Sequence, residues 1–171
     1  LMNYVANDSE MSLLFHIGVY TGLRLSDCCM IRWKHIDLKR KMISLLPIKT
    51  ARLGKTIHIP LHPKLFSMLK KRSTIKHQAE DYVSASNAHM YTRRYMTLHV
   101  QKIFQAVGVN NGKNGLSFHT LRHTFVSVCA NNGVPMPIVQ AIVGHGCEEM
   151  TKRYYHLNED SAAQALARIS W

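Results

Sequence analysis

The spacing of apolar residues changes along the chain between a helical and an alternating period. In most of the sequence apolar residues recur every three or four positions, which is typical of amphipathic helices. Glycine, proline or an Asn-Gly pair follows several of these segments and indicates where a helix ends. The predicted helices cover residues 9–20, 27–36, 62–72, 97–108, 119–131, 135–144 and 161–169.

One region in the first third of the chain alternates instead. Residues 41–46 (KMISLL) and 55–60 (KTIHIP) alternate and carry β-branched residues, which predicts two strands joined as a hairpin through residues 47–54. A further strand is expected to begin near Ile36. Residues 73–89 are polar and aperiodic, so they are expected to form a surface connection. The predicted fold is therefore mostly α with a small antiparallel β-sheet, the α+β class.

Local signals refine these elements. Ser9 is expected to cap the first helix, Gly22 to end it, and Ser26 to cap the second. The helix over residues 119–131 is expected to turn one apolar face to the core. That face comprises Leu121, Phe125, Val128 and Cys129.

Length and composition favour one folded domain. The chain has 171 residues, of which 46% are hydrophobic and 19% charged, enough to build a sizeable core. We expect residues 1–171 to form a single domain. No apolar run approaches the roughly 18 residues of a spanning helix, so no membrane partner is expected. The four cysteines have no framework spacing, which favours a reduced, cytoplasmic protein.

The charge balance is strongly basic. Lysine and arginine number 22 against 10 acidic residues, giving a formal net charge of +12. Such an excess favours a polyanionic partner, and nucleic acid fits best; a basic surface that only confers solubility is the alternative.

Candidate chemistry begins on the helix over residues 119–131. His119 and Arg122 stand three residues apart and share a helical face, which can dock on an anion or can simply be solvated. His145 follows Gly144, which ends a helix, so it can serve an anion site or bond the last carbonyls of that helix.

Further candidates lie in the first third of the chain and near its end. Arg24 sits between two predicted helices, where Asp27 can hold it by a charge-assisted pair or a purely structural salt bridge. Lys49 lies in the predicted hairpin loop and Lys55 at its far end, and both can be solvated lysines. Tyr154 can pack as an amphipathic ring or act as a nucleophile if a neighbour takes its proton.

These residues occur in an order that resembles the catalytic domain of the tyrosine recombinases, the phage-integrase family. Five motifs from residue 21 to residue 156 carry the resemblance, so nearly the whole chain is covered. They are TGLRLSD, a hairpin KT followed by the strand IHIP, LSFHTLRHTF, VQAIVGH and TKRYYH.

The resemblance implies that Tyr154 attacks a DNA phosphodiester, forms a 3′-phosphotyrosyl link and releases a 5′-hydroxyl. No cofactor, metal or ATP is implied, because the covalent bond stores the phosphodiester energy. Tyr154 is preferred to Tyr155, which lies about 100° further around a helix. The other implied roles are Arg24 and Arg122 on the phosphate oxygens, Lys49 (with Lys55 as the fallback) as general acid, His119 and His145 on the tyrosine proton and the phosphate, and Asp27 in support of Arg24.

The resemblance also implies partners. Double-stranded DNA is the expected substrate, bound by a homotetramer with accessory DNA-bending proteins as further partners. An amino-terminal core-binding domain, present in the family, is expected to be absent from this fragment. The hypothesis is a mobile-element integrase that acts in the cytoplasm of a bacterium, on nucleoid DNA. Prophage, genomic-island, transposon and chromosomal roles all remain open.

Three other functions share some of these features. A non-catalytic DNA-binding protein would keep the fold and lose nothing when Tyr154 is replaced. A zinc site could use His119 and His123 at i and i+4, but Arg122 between them repels a dication. A type IB topoisomerase shares the tyrosine chemistry, whereas His145 and the motifs around it favour a recombinase.

Overall fold

The computed structural model describes residues 1–108 and 116–144. Within them the chain forms helices, short strands and 3₁₀ turns. The helices are α1 Ser9–Thr21, α2 Leu25–Cys29, α3 Pro63–Arg72, α4 Ala85–Thr92, α5 Met96–Ala106, α6 Phe118–Asn131 and α7 Met136–Val143; the strands are β1 Ile36–Asp37, β2 Met42–Leu45 and β3 Ile57–Pro60; the 3₁₀ turns are Trp33–His35 and Ile48–Leu53.

The three strands form one antiparallel sheet in the order β1-β2-β3. Ile43 of β2 pairs with Ile59 of β3, and both side chains are buried, so one face of the sheet packs on the core while its other positions are more exposed. The mostly helical α+β class predicted from the sequence is confirmed, including the strand near Ile36.

Helix α1 runs through the centre of the core. Phe15 is fully buried, and its ring contacts Phe104 of α5 and Phe118 of α6 at centroid distances of 5.9 and 5.7 Å. The cap of α1 was predicted one residue too late: Asp8, not Ser9, accepts the first amides through its carboxylate. The Asp8 carboxylate accepts from the Glu10 and Met11 amides, which have no partner within the first turn of the helix.

The helix predicted over residues 27–36 is wrong in extent, because α2 ends at Cys29. Beyond it the backbone pairs with a distant segment: Val83 N–H donates to the Ile31 carbonyl at 2.9 Å, and Trp33 N–H to the Asp81 carbonyl at 3.0 Å. Ser26 does not cap α2 but lies inside it, and Arg24 holds the cap position.

The same pairing corrects the prediction for residues 73–89. Val83 is buried at 3% exposure, and α4 begins at Ala85 with Ser84 as its cap. Ser84 also donates to the Glu10 carboxylate, which pairs with Arg72 at 2.6 Å. Residues 74–81 are exposed, as predicted, whereas the part from Val83 onward is tied into the domain.

Helix α6 begins at Phe118, capped by Ser117, and its buried positions are Phe118, Leu121, Arg122 and Val126. Leu121 is buried as predicted, and Phe125 and Cys129 pack at the edge of a small cluster with α7. Val128 was predicted to face the core, but it is 53% exposed, because it lies about 200° around the helix from Val126. In residues 1–108 and 116–144, no helix has both the length and the apolar content to cross a membrane.

Gly22, which ends α1 as predicted, has a left-handed backbone with φ of 64°. A Cβ there would lie 2.6 Å from Cδ1 of Phe125. Gly22→Ala should therefore lower the free energy of unfolding by about 2–5 kcal/mol, through backbone strain and overpacking together. The matched control is Gly54→Ala, with φ of 62° and no atom within 4 Å of the added Cβ.

Denaturant unfolding measures both variants. Gly54→Ala should lose only the backbone part, about 1–2 kcal/mol. An equal loss of unfolding free energy in the two variants would contradict this prediction, because it would show that Phe125 moves aside without cost.

Candidate active site

A pocket of about 370 Å³ lies where α2, α5, α6 and the 3₁₀ turn Ile48–Leu53 meet. Three of the predicted site residues line it, each from a different element. The polar and charged residues of its wall include Arg24, Ser26, Lys49, Thr97, Gln101 and His119.

Arg24 enters the pocket from the junction of α1 and α2. Gly22 turns the chain, Leu23 is buried beneath it, and Arg24 is extended with φ of −71° and ψ of 156°. The buried Leu23 anchors the junction, so the next side chain is aimed away from the core and into the pocket.

Lys49 is exposed on the 3₁₀ turn that joins β2 to β3. Pro47 precedes the turn with an extended backbone, and Gly54 ends it in the left-handed region with φ of 62°. Lys55 lies beyond Gly54 and does not contribute to the lining of this pocket. Of the two lysines considered from the sequence, the geometry brings Lys49 to Arg24 and His119.

Arg122 was expected on an exposed face of α6 shared with His119, but it is only 2% exposed. Its Nη1 donates to the Gly22 carbonyl at 2.8 Å and its Nη2 to the Val143 carbonyl at 2.5 Å. Burial and the nearby Arg24 lower the pKa of Arg122 to about 10, while Asp27 and Cys28 act in the opposite direction. The guanidinium therefore stays charged at neutral pH and ties the ends of α1 and α7 beside the pocket.

Asp27 is buried at 3% exposure and contacts the 3₁₀ turn Ile48–Leu53, called the lysine turn below. Its Oδ1 accepts a hydrogen bond from Ile48 N–H at 2.9 Å. Burial raises the pKa of Asp27 above its ordinary value, and this effect outweighs the opposing Ile48 bond and the charges of Arg24 and Arg122. The ion pairs among the described residues join Arg32, Lys34 and Arg72 to acidic partners, so Arg24 and Asp27 do not form the direct pair expected from the sequence.

His119 lies at the rim of the pocket, and its ring meets that of His123 edge to face at 4.6 Å. Partial desolvation of the ring lowers its pKa below the ordinary 6.5. Neighbouring positive charges add to this effect; they belong to His123, Arg122, Arg24 and Lys49. A neutral imidazole can accept a proton, which is what a general base requires.

The titration of His119 tests this arrangement. We expect an NMR midpoint below 6.5, and Lys49→Ala should move it upward because one positive charge is removed. The unfolded chain binds a proton at His119 more readily than the folded chain does. The free energy of unfolding therefore falls as the pH drops from 6.5 through the lower pKa of the folded state. Lys55→Ala is the control; a shift as large as that of Lys49→Ala would contradict the placement of Lys49.

Thr97 and Gln101 of α5 were missed by sequence reasoning. Both are exposed polar positions on an amphipathic helix, so nothing in their pattern separates them from ordinary solvent-facing residues. Their place in the pocket follows from the tertiary structure, which brings α5 to the same pocket as α2, α6 and the 3₁₀ turn.

The remaining predicted site residues lie outside the described residues. They are His145, Tyr154 and the alternative Tyr155. The helix predicted over residues 161–169 also lies outside the described residues. The described part does show α7 ending at Gly144, with φ of 65°, directly before His145. Within residues 1–108 and 116–144, no group of three His, Cys, Asp or Glu side chains is placed to hold a metal ion.

Comparison with known proteins gives matches over almost the whole chain. The integrase of Salmonella phage P22 is 28% identical over 154 residues, covering 87% of this chain and 40% of that protein. The tyrosine recombinase XerD of Lacticaseibacillus casei is 25% identical over 152 residues, covering 85% of this chain and 50% of that protein. The chain spans about half the length of the curated relatives it matches.

Solved structures share the fold. The catalytic domain of bacteriophage HP1 integrase superposes with a TM-score of 0.66 at 23% identity, covering 93% of this chain and 82% of that one. The Tn1549 transposon integrase in complex with circular intermediate DNA superposes with a TM-score of 0.72 at 19% identity, covering 99% and 64%. The model of the phage integrase family matches residues 1–161, and the chain belongs to that family.

Proposed function

We propose that this chain is the catalytic domain of a tyrosine-type site-specific recombinase. It cuts and rejoins DNA strands through a 3′-phosphotyrosyl intermediate on Tyr154, with neither metal nor ATP. The observation that carries the proposal is the convergence of Arg24, Lys49 and His119 from three elements on one pocket, with Arg122 buried beside it. The order of the family motifs, which continues to His145 and Tyr154, supports it.

The proposed reaction is an in-line displacement at phosphorus. The Tyr154 oxygen forms a bond to phosphorus and its proton passes to His119, while the bond to the 5′ oxygen breaks and Lys49 protonates that oxygen. Arg24, Arg122 and His145 stabilise the charge that develops on the non-bridging oxygens. A preorganised donor of this kind contributes roughly 3 kcal/mol to the transition state. A 5′-hydroxyl reverses the steps and frees the tyrosine.

Double-stranded DNA is the proposed substrate. The formal charge of +12 supports it, as does the fold shared with a transposon integrase bound to DNA. We propose that the whole protein acts as a homotetramer on paired sites, with accessory DNA-bending proteins, on nucleoid DNA in a bacterial cytoplasm. Affinity from phosphate contacts weakens steeply with salt, so binding is best measured at low ionic strength.

A nicked suicide duplex tests the proposal. The nick lets the short strand with the 5′-hydroxyl dissociate after cleavage, so that the covalent adduct is trapped. Any longer form of the protein is assayed beside it, on DNA from the ends of its own element. We expect a slow-migrating protein–DNA band and an adduct mapped by mass spectrometry to Tyr154. No adduct from either protein would favour a non-catalytic DNA-binding role, and relaxation of supercoiled DNA lacking paired sites would favour a topoisomerase.

A further inference from the structure

Asp27 stands between the two elements that carry Arg24 and Lys49. It lies three residues after Arg24 in α2, and the amide that it holds belongs to Ile48, the residue before Lys49. The other carboxylate oxygen, Oδ2, is buried and has no hydrogen-bond partner in residues 1–108 and 116–144. A buried carboxylate with one unsatisfied oxygen is unfavourable for stability, so its presence points to a functional role.

The lysine turn has little else to hold it. None of its residues is buried, and Ile48 and Leu53 are 51% and 62% exposed. Its other backbone bonds are local: Thr50 N–H donates to Pro47 and Gly54 N–H to Ala51. Among the described residues, the Asp27–Ile48 bond is therefore the hydrogen bond that fixes the turn to α2.

We infer that Asp27 is a positioning residue that sets Lys49 at the scissile phosphate by holding the Ile48 amide. The inference rests on the proposed function. Arg24 caps the same short helix, so one rigid element would place both the charge-stabilising arginine and the proton donor. This differs from the role in which Asp27 supports Arg24 directly, for which the structure forms no ion pair among the described residues.

The test separates proton donation from charge stabilisation by changing the leaving group. In a suicide duplex with sulfur in place of the bridging 5′ oxygen, the leaving thiolate, with a pKa of about 8.5, needs no proton. Loss of the general acid should slow the oxygen substrate and leave the sulfur substrate almost unchanged. Loss of arginine stabilisation should slow both.

Asp27→Ala should slow adduct formation with the oxygen substrate about 10²-fold, the effect of roughly 1 Å of misplacement. The sulfur substrate should react at nearly the wild-type rate, as with Lys49→Ala. Equal slowing of both substrates would overturn the inference, because it would place the effect on the arginines or on the pocket as a whole.

Ile48→Pro tests the other end of the bond: it keeps the Asp27 carboxylate in place but removes the donor to its Oδ1. It deletes the N–H from an exposed residue at the first position of the turn, where proline is tolerated, and Pro47 before it is already extended. Ile48→Pro should reproduce the selective loss with oxygen, and Ile48→Ala, which keeps the amide, should not. The double variant of Asp27→Ala and Ile48→Pro should be no slower than either single one.

The failures of the two proposals are distinguishable. If the wild-type protein forms no adduct with either substrate, the proposed function fails. If the wild type reacts and neither Asp27→Ala nor Ile48→Pro changes the ratio of the oxygen and sulfur rates, the positioning role fails alone. Circular dichroism of each variant identifies any that do not fold, and Ile48→Pro against Ile48→Ala still decides the matter if Asp27→Ala is one of them.

Discussion

Tyr154→Phe should abolish the covalent protein–DNA adduct and reduce strand cleavage by roughly 10⁴-fold or more, the scale seen when an enzyme loses its nucleophile. The replacement removes one oxygen and keeps the ring, so packing changes little. DNA binding should persist, because phosphate contacts by the basic surface supply it. Single-turnover adduct formation on the nicked duplex measures the rate, and a gel shift at low salt measures binding.

Tyr155→Phe is the matched control, being the same substitution one residue further along the chain. It should leave the adduct in place, because the order of the motifs assigns the nucleophile to Tyr154. Loss of the adduct in Tyr155→Phe and its retention in Tyr154→Phe would reverse the assignment of the nucleophile. Retention in both variants would rule out tyrosine chemistry at this motif.

Arg122→Ala should reduce both stability and activity. It leaves the Gly22 and Val143 carbonyls without their donor, and it leaves Asp27 buried with less compensating charge. Breaking a buried charge arrangement of this kind lowers the free energy of unfolding by about 3–5 kcal/mol. Denaturant unfolding measures the loss, and cleavage is assayed at a temperature where the variant stays folded.

Arg122→Lys separates the two effects. The ammonium keeps the positive charge but cannot span two carbonyls as a planar guanidinium does. It should recover part of the stability and still cleave about 10²–10³-fold more slowly than wild type. Arg24→Ala is the comparison at a half-buried site, where activity should fall with a smaller loss of stability. Wild-type cleavage by Arg122→Lys would confine Arg122 to a structural role.

Much of the fold was predictable because each signal was local. The period of the apolar residues gave the hairpin and most helices, and Gly22 and Gly144 marked real helix ends. The helix over residues 27–36 failed because its backbone pairs with residues some 50 positions away, and a periodic pattern carries no information on such a partner.

The candidate site also has parts that the sequence predicts and parts that depend on tertiary packing. Arg24, Lys49 and His119 were found from the order of motifs, and the structure brings them to one pocket. The burial of Arg122 and the Asp27–Ile48 bond were not predictable, because both depend on backbone carbonyl and amide groups that every residue shares. Side-chain identity identifies chemistry, whereas the partners that hold it follow from the packing of distant elements.

The two carbonyls held by Arg122 also constrain when its guanidinium can be fixed beside the pocket. Gly22 precedes Arg122 by 100 residues, and Val143 follows it by 21. A chain still being synthesised, at about 5–20 residues per second, can collapse around α1 long before either bond is possible. The guanidinium is fixed between both carbonyls only after residue 143 is available to fold. A growing chain therefore carries Arg24 and Lys49 before the buried arginine beside their pocket is held in place.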